Sequence, residues 1–458
     1  MIELRKWQRE AIEAALKKFR RPFSHFLCLA TPGAGKTVMA STLADMLLRE
    51  GKVDLVLCLS PSTIVANDFK VALEAITKKR FCGGLGAFGA SLTYQSLRYL
   101  DTAFWMLFTN FRIFVIFDEI HHCAGDGIEN SNAWGEQILM NIRGKAHYSI
   151  ALTGTPWRSD TIPITLAEYM GEDKKIQLDY RYSLTQAIKD GVCRVPHITL
   201  LDNELISVIK NTEKSSFSSI EAFLRDSKLT YFSLISNDKV IRQILEYGIS
   251  RLNSEREKFA NAGGLIVAAS VAHAKYIRQL LHELGESSEL VTYQRPEPER
   301  LIQKFKDSNE KWIISIGMIS EGTNIPRLRV CCYLSLITTE LYFRQVLGRV
   351  LRSQQLPLER GYLIIPAHPR LLEYSKRLAA DIPHFSVCKS GRNNEVIPKY
   401  SNQLAESDYS TRELGNEKLF ESKEVVKVLG NSTGETLNSW YNSTIDSFGR
   451  FQEQIFTL

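Results

Sequence analysis

The sequence predicts an α/β fold in which parallel strands are covered by helices on both faces. Three observations carry this reading. Short apolar, often β-branched runs recur along the chain at Phe26–Ala30, Asp54–Leu59, Ile113–Phe117, Tyr148–Leu152, Leu265–Ala269, Trp312–Ile316, Val330–Leu336 and Tyr362–Ile365. Each is four to seven residues of continuous apolar character, as expected when both faces of a strand are covered. Amphipathic stretches such as Val38–Arg49 and Ala272–Leu284 lie between them, and strand–helix alternation points to a parallel sheet.

Taken in order, a polar, helix-like opening leads into Phe26–Ala30, a glycine-rich turn and the helix Val38–Arg49. Three further strands follow, up to Tyr148–Leu152. The alternation breaks near 201–240, where Ser215–Ser219 and flanking charges interrupt it, and restarts at Gly263-Gly264-Leu265. A second α/β half therefore runs to about residue 395. Beyond it the chain becomes rich in Ser, Asn, Thr and Glu, with few apolar anchors.

A chain of 458 residues is too long for one core, so two or three domains are expected. It is 44% hydrophobic and 24% charged, the balance of an ordinary globular protein, and no apolar run is long enough to cross a bilayer. A cytoplasmic location and no membrane partner are expected. The eight cysteines form no Cys-x-x-Cys pair, which argues against a zinc site or a disulfide framework. Net charge is +6, and residues 396–458 alone carry −3. The positive excess on the main body suits a polyanion, although many enzymes share it.

Residues 30–37 read Ala-Thr-Pro-Gly-Ala-Gly-Lys-Thr. Gly33 and Gly35 permit backbone angles that turn amides toward phosphates, Lys36 reaches β- and γ-phosphates, and the Thr37 hydroxyl ligates Mg²⁺. A helix starting at Lys36 adds its positive dipole end. The strand Ile113–Phe117 then delivers Asp118, to hold Mg²⁺, and Glu119, to orient and deprotonate an attacking water. This is the minimum kit for hydrolysing ATP. His121 and the hydroxyls of Thr153 and Thr155 are suited to linking the acids to movement of a neighbouring domain. On a helix, Gln345, Arg349 and Arg352 share one face, and two guanidiniums there can neutralise charge on a transferred phosphoryl group. Gly348 inside that helix costs about 1 kcal/mol against Ala, which invites a close approach as its explanation. Tyr94 and Trp157 are candidates for stacking on bases, with the core as the alternative.

In this order the motifs resemble those of superfamily 2 helicases of the DExH type, close to the restriction-subunit, XPB-like and UvsW-like groups. The resemblance covers about residues 1–370. Residues 30–37, Asp118-Glu119-Ile120-His121, Thr153-Gly154-Thr155 and Gln345–Arg352 match motifs I, II, III and VI. Leu4-Arg5-Lys6-Trp7-Gln8 resembles the Q-type motif, implying that Gln8 contacts adenine. Glu321-Gly322-Thr323-Asn324 resembles motif V, assigning Gly322 and Asn324 to the nucleotide and Thr323 to the nucleic acid; relatives often carry Asp where this chain has Asn324. Ser60-Pro61-Ser62-Thr63, Thr93-Tyr94-Gln95-Ser96 and Ser270 resemble strand-contacting motifs, which brings Pro61, Thr63, Thr93, Gln95 and Ser270 to the phosphate backbone.

The resemblance implies two tandem RecA-like domains plus a small C-terminal appendage. They are expected at 1–200 (ATP-binding) and 256–395, with a helical linker or small insertion at 201–255 and the appendage at 396–458. It implies ATP and Mg²⁺ as cofactors, a nucleic-acid partner (DNA ahead of RNA), and helicase or translocase activity in the 3′ to 5′ direction. A duplex translocase serving a restriction or defence complex, and an ATP-switched clamp, are the rival readings. The chain has no recognisable nuclease signature, so any cutting would fall to a partner subunit.

Overall fold

The computed structural model describes residues 3–155, 162–172, 175–203, 205–210, 213–292, 294, 297–317, 323, 325–352, 359–380, 435–440 and 443–446. In the first half the elements are α1 (Lys6–Lys18), β1 (Ser24–Ala30), α2 (Lys36–Arg49), β2 (Leu55–Ser60), α3 (Thr63–Thr77), β3 (Gly89–Thr93), α4 (Thr102–Asn110), β4 (Ile113–Phe117), α5 (Ala133–Asn141), β5 (Tyr148–Thr153), β6 (Tyr169–Met170), β7 (Lys175–Ile176), β8 (Tyr180–Tyr182) and α6 (Leu184–Lys189). The second half has β9 (Val195–Asp202), β10 (Leu205–Lys210), β11 (Glu213–Phe217), α7 (Ile220–Asp226), α8 (Tyr231–Ile235), α9 (Asp238–Lys258), β12 (Gly263–Ala268), α10 (Val271–Glu283), β13 (Ser288–Val291), α11 (Pro298–Asp307), β14 (Trp312–Ser315), β15 (Leu328–Leu334), α12 (Glu340–Val350), β16 (Arg360–Pro366), α13 (Pro369–Ala380), β17 (Glu435–Trp440) and β18 (Ser443–Asp446).

The first sheet has the order β3-β2-β4-β5-β1-β8, and its pairs are parallel. Its apolar runs are buried on both faces. In β4, Phe114 and Ile116 join one core with α1 and α2, whereas Ile113, Val115 and Phe117 join a second core that includes Phe108 and Ile138. Period-2 alternation thus feeds two apolar layers from one strand, which is why the run reads as continuously hydrophobic.

The second sheet runs β13-β14-β12-β15-β16-β9-β18, parallel except for the β18 edge. The molecule is therefore built of two tandem RecA-like lobes. The expected partition at residue 200 needs correction. β9 pairs in parallel with β16 over Arg360–Pro366, so the strand Val195–Asp202 belongs to the second lobe. Within residues 201–255, expected as a helical linker or small insertion, Val240, Ile244 and Leu252 of α9 are buried in the same core as β12 and β15. The tail expected at 396–458 lies largely outside the described residues; β17 pairs with β10, and β18 with β9. Among the described residues, no helix is long and apolar enough to cross a membrane.

Candidate active site

The phosphate loop sits between β1 and α2, at the C-terminal edge of the first sheet. Gly33 and Gly35 adopt φ of 83° and 95°, left-handed angles that a side chain resists. Gly35 also lacks room: a Cβ there would lie 2.9 Å from Gln8 Nε2. Gln8, only 3% exposed, donates to the Gly35 carbonyl at 2.9 Å and accepts from the Arg5 amide at 2.8 Å. Gln8 thus braces the loop it was expected to serve through adenine. Arg5 was missed as a site residue; its guanidinium donates to the Ala34 carbonyl at 2.7 Å. The only sequence signal was its place beside Gln8, since a charged residue before a helix otherwise reads as solvated. Thr37, half-buried, follows Lys36 in the first turn of α2.

Lys36 is buried and its ammonium lies 3.1 Å from Glu119 and 3.2 Å from the Ala30 carbonyl. Glu119 follows β4 in a left-handed conformation, φ 47° and ψ 54°, at a cost of about 1–3 kcal/mol for a non-glycine residue. The amide of Gly154 donates to its other oxygen at 3.2 Å. Burial opposes ionisation of Glu119, but Lys36 and then His121 outweigh it and hold this carboxyl below its usual range. Its neighbour moves the other way. Burial, followed by the charge on Glu119, pushes the Asp118 carboxyl well above the usual range. A cation beside Asp118 relieves that penalty.

The three coupling candidates meet. His121 Nδ1 is 2.9 Å from Thr153 Oγ1 and 3.4 Å from both Thr155 Oγ1 and Glu119. The Thr153 hydroxyl donates to the Thr155 carbonyl at 2.8 Å. Glu119 is thereby tied to the end of β5 through a buried chain of polar contacts.

The second lobe brings α12 against this loop, but the helix ends at Val350, so Arg352, expected on the same helix face as Gln345 and Arg349, lies beyond it in a bridge to Cys193. Gly348 of α12 packs on Pro32, where a Cβ would stand 2.6 Å from Pro32 Cβ. A Cβ on Gly33 would lie 3.0 Å from Arg352 Cγ. The close approach expected from a glycine in a helix is thus an approach to the phosphate loop itself. Arg349, 7% exposed, donates to the Thr323 carbonyl at 2.9 Å, and Gln345 is buried on the same helix. Burial, then Arg349, pulls the Arg352 guanidinium down to about 9, against the pull of Asp68 and Glu119, and a further anion beside it would favour its charge.

These residues fit a magnesium-bound ATP. The loop offers left-handed glycines and a helix N-terminus to phosphate, Lys36 and the two arginines offer charge, and Asp118 with Thr37 offers hard oxygen ligands. When bound, Mg²⁺ supplies positive charge to the β- and γ-phosphates.

The strand-contact candidates divide. Thr63 and Gln95 are exposed and Pro61 is half-buried, all beyond the C-terminal ends of β2 and β3. Thr93 and Ser270 serve as caps, accepting from the Ser96 and His273 amides, and Ser270 is 4% exposed. Thr323 is buried and contributes its carbonyl to Arg349. Tyr94 does not face solvent: it is 1% exposed, stacks on Trp134 at 5.8 Å and donates to the Asp118 carbonyl at 2.8 Å. It supports the acid from below. Gly322, Asn324 and Trp157 lie outside the described residues.

Two RecA-like lobes with a phosphate loop, an acid pair and an arginine helix at their junction are the arrangement of superfamily 2 helicases, and the chain resembles that class in fold as in motif order. The family model described as the res subunit of type III restriction enzymes matches residues 1–158. The chain is 29% identical over 398 residues to an uncharacterized protein of Mycobacterium leprae (strain TN), a match covering 83% of this chain and 65% of that one. It thus spans just under two thirds of that relative's length. It is 23% identical over 385 residues to the DNA 3′-5′ translocase XPB2 of Sulfurisphaera tokodaii, covering 77% of this chain and 79% of that protein. Among solved structures, a fragment of a putative HsdR subunit of a type I restriction enzyme from Vibrio vulnificus YJ016 shares the fold at a TM-score of 0.53 and 17% identity, over 81% of this chain and 65% of that one.

Proposed function

We propose that this chain is a cytoplasmic ATP-hydrolysing motor that moves on DNA in the 3′ to 5′ direction and remodels it. The observation that carries this reading is the contact of α12 and the residues just after it with the phosphate loop, Gly348 of the helix on Pro32 and Arg352, beyond the helix end, on Gly33. Each lobe holds half of a hydrolytic site, so closure completes it and reopening resets it. In this mechanism Lys36 leaves Glu119 for the phosphates. Glu119 then orients and deprotonates the attacking water, with its position fixed by the Gly154 amide and His121. Arg349 and Arg352 neutralise charge that grows as the phosphoryl group transfers. The chain His121–Thr153–Thr155 relays the state of Glu119 to the end of β5. Thr63 and Gln95, exposed at the same sheet edge, hold nucleic-acid phosphates.

The relative named a DNA translocase supports movement on DNA ahead of RNA. The test is ATP turnover across single-stranded, duplex, forked and RNA ligands at fixed salt, because phosphate binding is strongly salt-dependent. Stimulation by DNA is expected. Turnover that is absent with every ligand removes the motor reading and leaves an ATP-switched clamp.

The match to a restriction res subunit at residues 1–158 favours one second reading. In it the chain translocates on duplex without separating strands, beside a nuclease partner. Release of a triplex-forming strand without duplex separation would select it.

A further inference from the structure

We infer that Arg194 is a positioning residue for the arginine helix, acting from the crossing between the lobes. This rests on the proposed ATPase. Cys193 is buried in the first lobe's core and Val195 in the second's, so Arg194 stands where the chain passes from one to the other. It is 1% exposed, and its guanidinium is turned wholly toward the second lobe. Nη1 donates to the Val350 carbonyl at 3.0 Å and to the Leu328 carbonyl at 2.5 Å, and Nη2 to Pro326 at 2.9 Å. Nε donates to Glu359 at 2.8 Å, and the backbone amide donates to the Leu351 carbonyl at 2.7 Å.

Val350 and Leu351 are the two residues between Arg349 and Arg352. Their carbonyls lie at the C-terminal end of α12, where helical partners run out. A guanidinium there satisfies them and suits the negative dipole end. Pro326 lies three residues beyond Thr323, whose carbonyl holds Arg349. One residue therefore fixes both the last turn of α12 and the segment that anchors Arg349. The neighbouring residue faces the other lobe: the Cys193 thiol points to the Pro32 carbonyl at 3.7 Å, and Cys193 bridges Arg352. Arg194 thus joins the phosphate loop, through the chain, to the spacing of the two arginines. Glu359 also receives Arg329, which in turn meets Glu255, so two cations and two anions share the buried cluster.

The test uses the full chain with Arg194→Lys and, should that variant fail to fold, with the pair Arg194→Met/Glu359→Gln, which removes one cation and one anion together and leaves Arg329 paired with Glu255. DNA-stimulated turnover at saturating ATP and equilibrium affinity for a fluorescent ATP analogue are measured together. A displacement of about 1 Å at a catalytic group costs about 100-fold. The expected result, in whichever variant folds, is turnover slowed by about 30-fold or more while affinity stays within about threefold of the wild type. Wild-type turnover in a folded variant overturns the inference, and so does an equal loss of affinity and turnover, which marks a general structural role. If the wild-type chain itself shows no turnover, the ATPase reading has failed instead.

Discussion

Replacing Gly348 with Ala separates the junction of the lobes from the stability of either one. The added Cβ would stand 2.6 Å from Pro32 Cβ, whereas carbon atoms rest about 3.5–4.0 Å apart. Pro32 is a rigid ring in the phosphate loop and cannot swing aside as a long side chain would. The helix must therefore withdraw by about 1 Å, carrying Arg349 and Arg352 with it, and a shift of that size costs about 100-fold in rate. Within α12, the same change favours the helix by up to about 1 kcal/mol. Stability and activity should then part company. Calorimetry should show a melting temperature unchanged or raised, while steady-state ATP turnover with saturating DNA slows by about 100-fold. Wild-type turnover in Gly348→Ala would refute the reasoning, as would a loss of turnover fully explained by unfolding.

Three further outcomes are expected. Lys36→Ala and Glu119→Gln should each abolish hydrolysis, with Glu119→Gln still binding ATP in a filter or fluorescence assay; hydrolysis at the wild-type rate by Glu119→Gln would show that another group activates the water. Arg349→Ala should slow turnover by a factor at least about ten times larger than the factor by which it weakens ATP binding, because the charge it meets grows in the transition state. His273, 1% exposed, is driven down to about 4 by burial, and its Nδ1 accepts from the Ala269 amide, so it is held neutral. Below its ordinary value of about 6.5 the unfolded chain takes up a proton that the fold refuses, so stability is lost as pH falls from about 6.5 to 4, by about 3 kcal/mol from this group; urea midpoints at pH 7 and 4.5 should diverge less in His273→Gln than in the wild type.

The candidate catalytic residues were legible because the chemistry they are proposed for dictates residue type at fixed spacing. Gly33, Gly35, Lys36, Asp118 and Glu119 are read from short strings beside apolar strands, and the structure gathers them at one sheet edge. Gly348 was legible as an anomaly, a glycine in a helix, though not which surface it meets. Tyr94 was not, since an aromatic beside a strand end looks the same whether it stacks on a base or lies beneath Asp118. The short strand β3, Gly-Ala-Ser-Leu-Thr, lacks the β-branched character that marks its neighbours and is formed by pairing with β2. β9 was assigned to the wrong lobe because its partner, β16, lies more than 160 residues away. Arg194 was invisible for the same reason: the carbonyls and carboxylate it holds come from segments distant in sequence.

The central claim is that one nucleotide is held by both lobes at once. Hydrogen exchange of the Glu119→Gln protein, with and without ATP and DNA, tests it most directly. Protection by ATP of both residues 31–37 and the helix Glu340–Val350 is the predicted result. Protection confined to residues 31–37, with the second helix exchanging as it does without ligand, would contradict it.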